Sequence, residues 1–147
     1  MANTLYDIAR QKFLKGELNW ESGAFKVCLV NKNIYTPNFS SHVNLSDVSA
    51  SAIPVPGGGM TTGYTGGVAL VNKTATAGAA DADDVTFTAV DAGHADMEAL
   101  LIYFDSGNAS TNTLIALIDS ATGLPIQPNG GDIIVVWDSG VNKIFRL

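Results

Sequence analysis

The sequence predicts a mainly β domain, an antiparallel β-sandwich or barrel-like fold with one N-terminal α-helix and a long Pro/Gly-rich loop. Three observations carry that expectation. Short apolar segments recur with turn residues between them roughly every 8–12 residues, the spacing of sandwiches and barrels. The separators are too short to hold helical crossovers, so neighbouring strands should run antiparallel. Charged residues make up only 15% of the 147, against roughly 25% in an average soluble domain, while Gly, Ser, Thr, Asn and Asp are abundant.

The elements follow in chain order. Thr4 reads as a helix N-cap with Asp7 at the third helical position, a variant of the capping box. Leu5, Ile8, Ala9 and Phe13 recur at helical spacing, and Gly16 supplies the stop, so residues 1–16 are expected to form one amphipathic helix. A helix this short is marginal alone and must pack on something. The period then changes, and Phe25–Val30 reads as a strand closed by Asn31-Lys32-Asn33. Residues 34–67 show little periodicity and hold Pro37, Pro54, Pro56 and Gly57-Gly58-Gly59; a short strand is expected within Val48–Val55. A loop of that length is usually functional or mobile. Val68–Lys73, Val85–Val90, Met97–Asp105, Thr113–Asp119, Asp132–Asp138 and Lys143–Leu147 complete the strands, with Asp81-Ala82-Asp83-Asp84 as one of the turns. The chain is thus one domain, a helix at 1–16 and a β-domain at 25–147 with an irregular loop at about 34–67.

Charge is unevenly placed. Residues 1–32 carry five bases against three acids, residues 33–142 carry eleven acids against Lys73 alone, and Lys143–Leu147 adds Lys143 and Arg146. An acidic body repels nucleic acid, whose binding rests on phosphate neutralisation. The basic ends suit steering toward an acidic partner. No apolar run approaches the roughly 20 residues of a membrane span, and Met1–Thr4 lacks the layout of a signal peptide. Synthesis in a cytosol is therefore expected, and the four Asn-x-Ser/Thr sequons read as products of composition. One cysteine, Cys28, permits no internal disulfide.

No chemistry-bearing motif stands out. The Gly57–Gly63 run lacks the Gly-Lys-Ser/Thr ending of a phosphate loop. Asp81, Asp83, Asp84 and Asp91 offer hard oxygen ligands, but without the spacing of an EF-hand loop, so a solvated turn is the simpler reading. His42 and His94 have no second ligand at metal spacing, and His94 reads as part of an exposed turn. No nucleophile elbow is present, and Cys28, mid-strand, reads as packing. No catalytic residue, metal site or cofactor is expected. The loop aromatics Tyr35, Phe39 and Tyr64 admit three readings: a protein interface, local packing, or a sugar-binding platform.

Several segments resemble a family of short tailed-bacteriophage virion proteins. They are Gly16-Glu17-Leu18-Asn19-Trp20 with Phe25–Val30, Asn44–Val48, Ala82–Phe87, Leu101–Gly107, and above all Leu114–Leu147, which includes Asp119–Pro125, Pro128-Asn129-Gly130-Gly131-Asp132 and Asn142–Leu147. The likeness covers nearly the whole chain except 49–67 and rests on turn-and-strand motifs. It implies a non-enzymatic structural component of the particle, here a capsid decoration (cement) protein on the outer shell, or else a neck or tail component; a host-glycan-binding surface module is the remaining alternative. The implied partners are the major capsid protein and neighbouring copies of the chain, as a possible homo-oligomer, with neither nucleic acid nor membrane. Expected contact residues are Leu5, Tyr6, Ile8 and Phe13 on the helix, with Tyr35, Phe39 and Tyr64 on a loop that orders on binding. The last strand, Lys143–Leu147, is expected to complete the fold rather than to bind.

Overall fold

In the computed structural model, which describes residues 4–147, the chain opens with a short strand, β1 (Thr4–Leu5), before the helix α1 (Asp7–Leu14). Thr4 is therefore no cap; it pairs with Leu117 in a ladder, and the first helical amide, that of Asp7, donates to the Phe39 carbonyl at 2.9 Å. A backbone acceptor does the work expected of a side chain. The helix ends as read. Gly16 takes the left-handed conformation (φ 72°), its amide donates to Phe13, and that of Glu17 donates to Lys12. This is the paired-bond C-terminal stop that favours glycine. Residues 1–3 of the expected helix lie outside the described residues.

The remaining strands are β2 (Phe25–Val30), β3 (Val68–Ala69), β4 (Thr74–Thr76), β5 (Ala79–Asp81), β6 (Val85–Phe87), β7 (Ala99–Phe104), β8 (Thr113–Ile118), β9 (Ile133–Val135) and β10 (Phe145–Arg146). The principal sheet is antiparallel with order β1-β8-β7-β2-β3; two smaller sheets have order β10-β5-β4 and β6-β9. A bulge lies where the β7–β8 register slips between Ile102 and Tyr103, and Ile115 and Ala116 then face the same side. The mainly β, sandwich-like architecture is as the sequence predicts.

Every residue of β8, and nearly every residue of β2 and β7, is buried, because both faces of the main sheet are covered. On one face, Phe25, Val27, Leu29, Leu100, Ile102 and Ile115 meet the two small sheets through Ala80, Val85, Phe87 and Ile133. An aromatic group closes this core, with Trp20 4.7 Å from Phe25 and 5.1 Å from Phe145. On the other face, Cys28, Val30, Leu101, Tyr103, Leu114 and Leu117 meet Tyr35, Leu45, Val48, Ala52 and Ile53. The irregular segment is thus the second layer of the domain. Its two short 3-10 turns, Leu45–Asp47 and Ala50–Ala52, and an isolated bridge from Pro54 to Thr62 replace the strand expected within Val48–Val55. Five buried apolar side chains hold it against the sheet before any partner arrives, so the expectation that it orders on binding does not hold for this part of it.

Candidate functional site

The side chains with the strongest chemistry are used locally. Asp81 pairs with Lys143 at 3.4 Å, Asp83 accepts from Asn72, Asp84 accepts the Trp137 amide, and Asp91 accepts the Gly93 and Gly59 amides. Among the described residues no group of three His, Cys, Asp or Glu side chains is placed to hold a metal ion. The glycine run is consumed as well. The Gly57 and Gly58 amides donate to the carbonyls of Thr88 and Ala89 and that of Gly59 to the Asp91 carboxylate, so all three donors are occupied within the chain; the three glycines adopt positive φ. Cys28 is fully buried, and burial pushes its thiol up, away from the reactive thiolate. His94 is not in an exposed turn: its side chain is buried, and Nε2 has no hydrogen-bond partner among the described residues.

A directed hydrogen-bond chain joins the helix start to the second layer. The Asn38 amide donates to His42 Nδ1 at 3.2 Å, so that nitrogen carries the lone pair. Tyr35 Oη, 3.0 Å away, therefore donates to it, and Tyr6 Oη, 2.7 Å from Tyr35, donates in turn to Tyr35. Burial is the main cause raising both phenols above their ordinary value, so they stay protonated and the chain is structural. Tyr6 also packs 4.9 Å from Phe39.

These contacts correct part of the expected contact set. Leu5, Tyr6 and Tyr35 are buried, with Leu5 in the first core and Tyr6 and Tyr35 in the second. Strand geometry at residues 4–5 sends successive side chains to opposite faces, where a helix would have placed Leu5 and Ile8 on one stripe. Ile8, Phe13, Phe39 and Tyr64 are half-buried. Tyr64 donates to the Val48 carbonyl at 2.7 Å, which turns its polar end inward.

The open apolar surface lies elsewhere. Between α1 and β10 runs a groove of about 340 Å³ lined by Leu5, Arg10, Phe13, Leu14, Arg146 and Leu147. Its outer lip is unusually bare: Leu14 is 88% exposed and Leu147 63%. Single exposed aliphatics are ordinary; here two of them line one groove. The groove brings together the two basic ends that the sequence keeps 136 positions apart, Arg10 and Arg146. Arg10 Nη1 donates to the Leu5 carbonyl at 2.9 Å and lies 3.2 Å from Asp7, which covers part of the outer edge of β1 and guards it against stray strand pairing. Arg146 donates to the carbonyls of Val141 and Ala77. Among the described residues its charge has no carboxylate within salt-bridge distance.

Of the four helix residues expected to make contact, Leu5 and Phe13 line this groove, whereas Tyr6 and Ile8 do not. Leu14, Leu147, Arg10 and Arg146 were missed, although Leu14, an apolar residue outside the buried stripe, was the available signal. In the last strand, expected to complete the fold, Phe145 is buried in the first core, while Arg146 and Leu147 are exposed and line the groove. Among the described residues, no helix is long and apolar enough to cross a membrane. In comparison with known proteins, the chain matches no family model and no curated protein sequence.

Proposed function

We propose that this chain is a non-enzymatic structural protein of a tailed-phage particle, a cement protein that binds and stabilises the outer capsid surface through contacts with the capsid protein and with neighbouring copies of itself. The observation that supports this reading best is the α1–β10 groove: bare leucines between two arginines, on a chain that is otherwise acidic and poor in charge. A cement protein must hold many copies on a lattice without covalent chemistry. Apolar burial at roughly 25 cal/mol per Å² supplies the attraction, and repetition across the lattice makes modest contacts persist. Centrally placed apolar side chains with an arginine rim have the anatomy of such an interface.

The experiment is a copy-number measurement on purified particles by quantitative mass spectrometry. The cement reading expects on the order of hundreds of copies per particle, as a repeating shell lattice requires. A dozen or so copies would move the chain to the neck or tail. Complete absence from washed particles would overturn the reading.

A further inference from the structure

We infer that the occupant of the groove is a second copy of this chain, which docks head-to-tail through the acidic outer face of β9. The inference rests on the groove being an assembly contact and adds what fills it.

The second patch is independent of the first. Along β9 and just beyond it, Ile133 and Trp137 point into the core, while Ile134 is 65% exposed and Val136 74%. Ile134 is on β9 and Val136 one residue past its end; two residues apart in chain whose burial alternates in and out from Ile133 to Trp137, both face outward, roughly 7 Å from each other. Thr86 is the cross-strand neighbour of Ile134 on β6, so no large side chain from the partner strand covers them. The two strands and their ends are acidic: residues 84–90 and 132–138 hold Asp84, Asp132 and Asp138 and no base, and Lys143, which lines a small cavity with Val136 and Asp138, is paired with Asp81 at 3.4 Å. Asp84, Asp132 and Asp138 each spend Oδ1 on a nearby amide, those of Trp137, Ala89 and Gly140 respectively. Among the described residues none carries a salt bridge, which leaves Oδ2 for a cation from outside.

The two patches complement each other. The groove is concave and apolar, with Arg146 at its rim free of any carboxylate among the described residues and Arg10 paired only with the exposed Asp7, whereas the β9 face offers two branched aliphatics between carboxylates that carry no salt bridge. Burying the aliphatics against Leu14 and Leu147 brings Arg146 and Arg10 toward Asp138 and Asp132. Opposite charges at the rim select this pairing and oppose groove-to-groove contact, where arginine would meet arginine. Two different patches on one chain give a heterologous interface, which closes into a ring or extends along a lattice according to its rotation. Both outcomes suit a protein repeated over a shell.

The test uses three forms of the full chain: wild type, a groove variant (Leu14→Ser with Arg146→Glu) and a β9 variant (Ile134→Ser with Asp138→Lys). All changes fall on exposed side chains, and thermal melting checks that each form is folded. Sedimentation velocity is run up to roughly 1 mM, so that even a millimolar contact is populated. The expected result is that wild type self-associates with rising concentration and each variant alone stays monomeric. An equimolar mixture of the two variants then forms a discrete 1:1 dimer, because one intact groove meets one intact β9 face. A wild type that stays monomeric, a β9 variant that associates like wild type, or a mixture that stays monomeric would each overturn the inference. If wild type is monomeric while the groove variant is still lost from particles, only the identity of the occupant fails, and the groove remains an assembly contact.

Discussion

Removing the hydroxyl from Tyr35 should cost more stability than removing it from Tyr6, although the two oxygens share one hydrogen bond of 2.7 Å. The difference follows from the direction of the chain. In Tyr6→Phe, the Tyr35 hydroxyl keeps its acceptor, His42 Nδ1, and one bond is lost, worth about 1 kcal/mol. In Tyr35→Phe, the Tyr6 hydroxyl is stranded on a side chain with no exposed surface, and an unmet buried donor costs about 1–3 kcal/mol in its own right. His42 loses little, since the Asn38 amide still donates to it. Tyr35→Phe should therefore lower stability by about 2–3 kcal/mol, which for a chain of this size is a melting shift of roughly 5–10 °C, against roughly 2–4 °C for Tyr6→Phe. The double variant should be less unstable than the sum of the singles, because it removes the stranded donor. Urea unfolding at fixed pH, followed by far-ultraviolet circular dichroism, measures all three. A Tyr6→Phe loss equal to or larger than that of Tyr35→Phe, or strict additivity in the double variant, would refute the assigned direction.

Other consequences can be measured in the same way. Gly67→Ala places a Cβ onto the Tyr103 hydroxyl, and Tyr103 is buried in the second core; a loss of about 1–3 kcal/mol in urea unfolding is expected, and unchanged stability would disprove the close packing there. Deleting residues 1–16 strips β1 from β8 and uncovers the sites now filled by Tyr6 and Ala9; a cooperatively melting β-domain after that deletion would contradict the helix's place in the core. Asp105 is held below the ordinary carboxylate value by Lys26 and then by the Gly107 amide, and Asp47 by the Asn44 and Val43 amides. Depressed carboxylates stabilise the fold above their unfolded value and lose that contribution as pH falls below about 4. Chemical unfolding across that range should show Asp105→Asn with a shallower acid slope than wild type, and equal slopes would remove Asp105 from the account.

The parts of the fold legible in the sequence are those whose burial is extreme. β2, β7 and β8 are six-residue strands that are apolar except for Lys26 and Thr113, and no other element competes for that pattern. The hairpin of β4 and β5 was hidden because Thr74–Ala80 is built from threonine, alanine and glycine alone. Its two-residue turn, Ala77-Gly78, with both residues at positive φ, lacks the Asn-Gly signal that usually reveals this geometry. The second layer was hidden for a different reason. Tyr35, Leu45, Val48, Ala52 and Ile53 are spaced without period, and only the sheet opposite gives them a common direction. The groove depends on tertiary pairing too, since nothing in the sequence says that Leu14 and Leu147 face one another.

The central claim, that the α1–β10 groove holds this protein on the particle, is tested most directly by rebinding. Particles stripped of the chain are incubated with wild type or with Leu14→Ser/Leu147→Ser, and bound copies are counted. Both substitutions fall on exposed side chains, so the two forms should melt together. The account predicts that wild type returns to near its native copy number and the variant binds at least tenfold less at equal concentration, a loss of about 1.4 kcal/mol. A folded variant that rebinds as wild type does would contradict it.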